Sequence, residues 1–171
     1  PYRAARVFGA TVPENLPRTR TGRALKFSAI GSIDEWLPRA AVRAEYRYYW
    51  DSWAMKGHTV EVGGSRYFGD PWLADVFMRV YKQNGALFYA DDATTQTLYV
   101  TRNRQLSAFS SLGLGGRLTY SLGKVRERFD VKLNGAYEFK HFNYGDFTDL
   151  RTGNPYKHGA HVLQLNLSAT Y

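Results

Sequence analysis

Histidines and serines are the residues in this sequence whose types could carry chemistry. His158 and His161 have a spacing that two metal ligands can use, and Asp146 and Asp149 are nearby in sequence. A zinc site needs three or four ligands on a fixed backbone, whereas these residues fall in a segment predicted to be a long loop, residues 142–160. The chain has no cysteine that could add a thiolate ligand. We therefore expect no metal site.

A hydrolase or acyltransferase would need a nucleophile, a base and an orienting group that converge at one point. The available nucleophiles and carboxylates are Ser107, Ser110, Ser111, Asp91 and Asp92. No spaced motif ties any of them to a histidine. The glycine-rich stretch 113–116 lacks the Lys-Ser/Thr pair of a phosphate-binding loop. We expect no catalytic residue and no cofactor, and hence a protein that is not an enzyme.

Alternation of apolar and polar residues runs through most of the 171-residue chain and predicts β-strands. In the clearest segment, residues 163–171, Leu163, Leu165, Leu167, Ala169 and Tyr171 share one parity and polar residues the other. A period of two places each set on one face of a strand. Seven further segments follow the same pattern, so we predict eight strands and no helix in one domain, residues 1–171. These segments are residues 2–12, 25–29, 42–50, 60–68, 72–80, 112–120 and 131–139.

The links between the predicted strands alternate in length. Residues 33–39, 69–71 and 121–129 form short links at one end of the strands. Residues 13–22, 51–57, 82–106 and 142–160 form longer links at the other end. Outer-membrane barrels combine short periplasmic turns with longer extracellular loops, whereas a soluble sandwich has no reason to sort its links in this way.

Aromatic residues lie near the ends of the predicted strands. The predicted extracellular belt contains Trp50, Trp53, Phe139, Phe142 and Tyr144, and the predicted periplasmic belt contains Trp36, Phe68, Trp72, Tyr120 and Tyr171. Two belts separated by one strand length are typical of amphipathic rings at two membrane–water interfaces. The core aromatics of a soluble sandwich would instead lie in mid-strand.

The polar parity carries charges of both signs in mid-strand. We predict a charge network that faces the lumen of a barrel, with Gly63, Gly113 and Gly115 leaving room for long neighbours. The predicted members are Lys26, Arg43, Glu45, Arg47, Glu61, Asp75, Arg79, Arg117, Lys132, Glu138 and Lys140. The outside of a soluble protein could carry the same pattern, so this feature alone does not decide between the two classes.

Several stretches resemble a family of Gram-negative outer-membrane proteins that is classified only as a domain of unknown function. They are Tyr-Arg-Tyr-Tyr-Trp-Asp-Ser-Trp at 46–53, His-Thr-Val-Glu-Val at 58–62, Ser-Arg-Tyr-Phe-Gly-Asp at 65–70, and residues 101–107 and 147–154. The set Leu163, Leu165, Leu167, Ala169 and Tyr171 resembles the terminal-strand insertion signal of outer-membrane barrels. The resemblance implies an antiparallel transmembrane β-barrel, either complete with about eight strands or the C-terminal half of a longer barrel.

The sequence as a whole predicts a non-enzymatic protein of the bacterial outer membrane that acts as a scaffold, a narrow porin-like channel or the membrane anchor of an envelope complex. A soluble β-barrel or sandwich that binds a ligand is the alternative, and an outer-membrane enzyme is the third. Expected partners are the lipid bilayer, the barrel-assembly machinery, and either lipopolysaccharide phosphates or an envelope protein complex.

The net charge of +8 does not indicate nucleic-acid binding. On a strand, Arg43 and Arg47 point away from Tyr46 and Tyr48, whereas a nucleic-acid platform needs its basic and aromatic residues on one face.

Overall fold

The structure, a computed structural model, describes residues 4–125 and 129–170. These residues form nine strands: β1 (Ala4–Val7), β2 (Ala10–Pro13), β3 (Gly22–Ser32), β4 (Ala40–Asp51), β5 (Lys56–Phe68), β6 (Trp72–Gln83), β7 (Phe109–Val125), β8 (Phe129–Thr148) and β9 (Pro155–Thr170). A short 3-10 helix, Arg104–Leu106, precedes β7. The prediction of an all-β, antiparallel fold is confirmed. No helix in the described ranges is long and apolar enough to span a membrane.

Strands β3 to β9 form one sheet in which every strand pairs antiparallel with the next strand of the chain. The register runs without interruption from β3 to β6, and single irregularities occur between β7 and β8 and between β8 and β9. Within the described residues β3 and β9 do not pair with each other, so the sheet is open at both edges.

The segment predicted as one strand over residues 2–12 is instead a hairpin, which corrects the count of eight strands in one sheet. β1 and β2 form a separate two-stranded sheet and are joined by the two-residue turn Phe8–Gly9, and β1 also bridges to the link 84–108 through Val7 and Ala93. Both turn residues have positive φ angles, 49° and 78°. Two-residue hairpin turns with positive φ match the twist of the flanking strands, and Gly9 adopts such a φ without strain.

The link predicted over residues 142–160 is also shorter than expected. β8 and β9 continue to pair as far as Asn143 with Lys157 and Thr148 with Pro155, so that only residues 149–154 connect them. Aromatic residues such as Phe142 and Tyr144 extend the strand pattern beyond the charged stretch. The long link between β6 and β7, by contrast, is present as residues 84–108.

The buried core of the described chain lies at one end of the sheet. We call the cap the assembly of the β1–β2 hairpin with the links 14–21, 52–55 and 84–108. Met55, Ala86 and Leu106 form its buried centre, and Trp53 and Phe88 pack against them. Backbone hydrogen bonds join its parts: the Ala86 amide donates to the Leu106 carbonyl at 2.8 Å, and the link 84–108 exchanges a pair of bonds with the link 14–21.

Replacing Leu106 with alanine should loosen the cap without opening the sheet. Leu106 is 6% exposed, and removing a buried leucine side chain costs about 2–5 kcal/mol because it leaves a cavity. We expect faster limited proteolysis within residues 84–108. Leu98→Ala is the matched control, since Leu98 lies in the same link and is 73% exposed. Equal cleavage rates for the two variants would show that the link is not held by this core.

Candidate functional site

The sheet register places all eleven predicted network charges on one face, here called the polar face. Cross-strand pairing aligns Lys26 with Arg47, and it aligns Glu45 with Glu61 and then with Arg79. The remaining members fall on the same side, because each strand continues the alternation of its neighbour. They are Arg43, Asp75, Arg117, Lys132, Glu138 and Lys140.

A chain of ion pairs crosses the middle of the polar face. The Arg43 guanidinium donates to both carboxylate oxygens of Asp75 and lies 3.6 Å from Glu61. Arg79 Nε donates to Glu61 Oε2 at 2.7 Å, and Arg79 Nη1 lies 4.0 Å from Glu138. Since each arginine contacts two carboxylates, the network links β4, β5, β6 and β8 through side chains as well as through the backbone.

Three lysines complete the network toward its margins. Lys26 lies 2.7 Å from Glu45, and Lys140 lies 3.2 Å from Glu138. Lys132 pairs at 3.4 Å with Asp130. Asp130 has the same parity as Lys132 and lies on the polar face, but it was not among the predicted network residues. In the part of the chain that the structure describes, Arg47 and Arg117 have no carboxylate within ion-pair distance.

Glycines make the space that the network occupies, as the sequence analysis expected. A Cβ on Gly63 would lie 2.9 Å from Arg43 Cζ and 2.8 Å from a backbone carbonyl. A Cβ on Gly115 would lie 2.5 Å from the Phe77 ring, and one on Gly113 would lie 3.3 Å from Glu138. Long side chains therefore lie flat over these glycines, and an open cavity of about 450 Å³ remains among Arg43, Asp75, Phe77, Arg79, Arg117 and Glu138.

The opposite face, here called the apolar face, is the more exposed of the two. On interior strands of the sheet, Val62, Val76 and Leu114 are 42%, 61% and 46% exposed. The carboxylate side chains of Glu61 and Glu138 on the polar face are only 16% and 18% exposed. This arrangement is the reverse of a soluble sheet, in which apolar side chains are covered and charges face water.

Several aromatic residues lie at the end of the sheet away from the cap. Phe68, Trp72 and Tyr120 form one cross-strand row on the apolar face, and the Trp72 and Tyr120 ring centres are 4.5 Å apart. Trp36 lies at the same end in the link 33–39 and is 89% exposed. Four of the five residues of the predicted periplasmic belt thus lie at the same end of the sheet. The fifth, Tyr171, lies outside the described residues.

The second predicted belt is not gathered in the same way. Trp50 is the last residue but one of β4, lies on the apolar face and stacks on Tyr48 at 5.4 Å. Phe139 lies on the same face but in the middle of the long β8, beside His161. Phe142 and Tyr144 lie on the polar face instead, where both stack with His158. Trp53 lies in the cap, where its Nε1 donates to the Thr19 carbonyl at 2.9 Å. The position of Trp53 in the cap was not predicted, because a tryptophan just beyond the end of a strand is equally compatible with a membrane–water interface and with a cap.

The two histidines weighed as metal ligands lie in β9 and not in a loop, which corrects their placement. Residues three apart on a strand point to opposite faces, so His158 stacks on Phe142 at 4.7 Å on the polar face. On the apolar face, His161 Nδ1 lies 2.7 Å from the Tyr137 hydroxyl oxygen. Residues 4–125 and 129–170 contain no group of three histidine, aspartate or glutamate side chains that could hold a metal ion.

Three of the five groups weighed as catalytic, Ser107, Asp91 and Asp92, make structural hydrogen bonds in the cap. Ser107 Oγ donates to the Arg104 carbonyl at 2.7 Å and is fully buried. Asp91 accepts from Arg102 at 2.8 Å, and Asp92 accepts the Gly9 amide at 3.0 Å. The polar atoms of these three side chains are thus engaged in structural bonds, and Ser110 and Ser111 lie in β7, outside the cap.

Two groups outside the sheet have shifted pKa values with plain structural causes. Burial raises the pKa of Tyr89, whose hydroxyl donates to the Asp146 carbonyl at 2.9 Å. Hydrogen bonds from Arg151 lower the pKa of Asp149 in the link between β8 and β9. Tyr89 therefore stays protonated and Asp149 stays ionised near neutral pH, and both act as fixed anchors of the cap end.

These features define an all-β protein built on one antiparallel meander, with a charged face, an exposed apolar face and a cap at one end. Residues 2–143 match the family described as Protein of unknown function (DUF3570), and the chain belongs to that family. No curated protein matches the chain, and neither does any solved structure.

Gly63→Ala should destabilise the sheet, because the new methyl group would clash with both Arg43 and a backbone carbonyl. We expect a loss of about 1–3 kcal/mol, the usual cost of overpacking, read as a lower urea midpoint of unfolding in detergent. Gly135→Ala is the control, since its Cβ would meet only Leu165, at an ordinary 3.6 Å. A Gly63→Ala midpoint no lower than that of Gly135→Ala would contradict the packing described here.

Proposed function

We propose that the seven-stranded sheet is part of a transmembrane antiparallel β-barrel of the bacterial outer-membrane type. Its apolar face contacts lipid and its polar face lines the lumen. The observation that carries this proposal is the reversed burial: the ion-paired carboxylates of Glu61 and Glu138 are largely covered, while apolar side chains of the other face, such as Val76 and Leu114, are open even on interior strands. Outer-membrane barrels alternate apolar outward and polar inward residues along every strand, and the same arrangement would be unfavourable in water.

Strand length supports the same assignment. A tilted transmembrane strand needs about 9–11 residues to cross the hydrocarbon core. The shortest strand of the sheet, β3, has 11 residues, and its neighbour β4 has 12. Every strand of the sheet is thus long enough to span a bilayer.

The two ends of the sheet differ as the ends of an outer-membrane barrel do. One end carries the links 33–39 and 69–71 and the row of Phe68, Trp72 and Tyr120, which suits a periplasmic interface. The other end carries the cap, whose long links suit the cell exterior. Arginines and lysines in those links would face lipopolysaccharide phosphates, with which they can pair.

The protein's role in this proposal is non-enzymatic: a membrane scaffold, a narrow channel or the anchor of an envelope complex. Ser107, Asp91, Asp92, His158 and His161 are engaged in packing or structural hydrogen bonds, which gives an enzymatic function no support. Two arginines of the cap, Arg20 and Arg104, lie over Tyr49 and Tyr156 at one end of the polar face, which favours a narrow channel or a scaffold over a wide pore. The bilayer and the barrel-assembly machinery are the proposed partners.

Leu165→Arg tests the membrane assignment directly. A charge on the lipid face near the bilayer midplane costs about 2–4 kcal/mol, so we expect less heat-modifiable protein in the membrane fraction. Leu98→Arg is the matched control, since Leu98 is equally exposed but lies in the cap. If both variants behave as the native protein does, or if the native protein is monodisperse without detergent, the sheet belongs to a soluble protein.

Charge counting predicts the selectivity of an open lumen. The eleven network residues together with Asp130 comprise seven basic and five acidic side chains. We expect a modest anion preference in planar-bilayer recordings. The double variant Arg47→Glu/Arg117→Glu should reverse it, because neither arginine has a carboxylate partner in the described chain. Arg18→Glu, an exposed change in the link 14–21, should leave the preference unchanged. Strong cation selectivity of the native protein would contradict the lumen assignment.

A further inference from the structure

The two open edges of the sheet run in the same direction. β3 starts at the cap end, where Gly22 pairs with Asp51, the last residue of β4. β9 also starts at the cap end, where Pro155 pairs with Thr148, the last residue of β8. This follows from the meander: seven consecutive antiparallel strands leave the first and the last parallel to each other.

Direct closure of this sheet would therefore create a parallel seam in an otherwise antiparallel structure. A second copy in the same membrane orientation does not solve the problem, because its β3 would also run parallel to β9. Only an odd number of intervening strands lets both edges pair antiparallel. Bacterial single-chain barrels accordingly contain an even number of strands.

Both edge strands, β3 and β9, lack a pairing partner on one side, which is unfavourable in lipid. All residues of β3 are exposed, and so are all residues of β9 from Leu163 to Thr170, whichever face they belong to. In a bilayer every backbone amide and carbonyl group must find a partner within the protein. The apolar alternation nevertheless continues to both edges, with Leu25 and Phe27 on β3 and Leu165 and Leu167 on β9.

We propose that β3 and β9 both pair with one further β-sheet segment that has an odd number of antiparallel strands and closes the barrel. This inference rests on the proposed membrane function. The edges also indicate the chemistry of the segment. Its outward side chains continue an apolar band, and its inward side chains are hydrophilic, since they face Lys26 and Ser28 on β3 and Gln164 and Asn166 on β9.

Photo-cross-linking in cell membranes tests this proposal. A benzophenone amino acid is placed at Ser28 on β3 and, separately, at Asn166 on β9, in the protein produced at its natural level. The adducts are mapped by mass spectrometry. We expect both positions to react with strands outside β3–β9, and the two adducts to fall on the first and last strands of one segment. The same group at Thr59, a polar-face residue of the interior strand β5, is the control and should reach only β4 and β6.

Three results would overturn the proposal. A Ser28 adduct on β9 of the same chain would show direct closure, and an adduct on β9 of another copy would show closure by a dimer. Adducts with lipid alone would show that the edges remain unpaired. The membrane fraction and heat modifiability of the native protein and of each labelled protein are measured first. Absence of the native protein from the membrane fraction would refute the proposed function, whereas an inserted labelled protein with any of these adducts refutes only the odd-stranded segment.

Discussion

Ion pairing across strands is the interaction on which this sheet depends, because within residues 4–125 and 129–170 no second layer of structure covers either of its faces along most of its length. Arg43 and Arg79 each contact two carboxylates and share Glu61, so the charges form one connected network in which Asp75 has Arg43 as its ion-pair partner. Partly covered ion pairs are stable only when their geometry and remaining hydrogen bonds are satisfied. The glycines of β5 and β7 provide that geometry, and the polar face therefore depends on residues without side chains as much as on the charges.

Much of the sheet could be predicted from alternation alone. Period-two patterning assigns every network residue to a face, and the structure places them on one face because the pairing from β3 to β7 has no shift and the irregularity between β7 and β8 lies beyond the pairing of Lys132 with Ser121. Asp130 was not predicted only because it lies one residue before residues 131–139, the segment predicted as a strand. What alternation cannot give is the extent of a strand. Residues 140–148 and 155–162 are rich in aromatic and polar residues on both parities, and their pairing in β8 and β9 is decided by contacts between them.

The cap could not be predicted for a different reason. Its core joins residues that are distant in sequence, such as Met55 and Leu106, and its hydrogen bonds are mainly between backbone groups of irregular segments. Such contacts leave no periodic pattern. Trp53 and the hairpin β1–β2 illustrate this: the tryptophan looks like a membrane-interface residue, and the hairpin reads as one weak strand until the positive φ angles of Phe8 and Gly9 are seen.

The chain-order topology also has a consequence for the folding pathway. Since each strand pairs with its neighbour in the chain, the sheet can grow by one hairpin at a time, and most links are short. The exception is the 25-residue link between β6 and β7. Closing it costs about 2 kcal/mol more in chain entropy than closing the three-residue link between β5 and β6. The burial of Leu106 and Ala86 against Met55 offsets that cost, so the cap is the element that allows the two halves of the meander to meet.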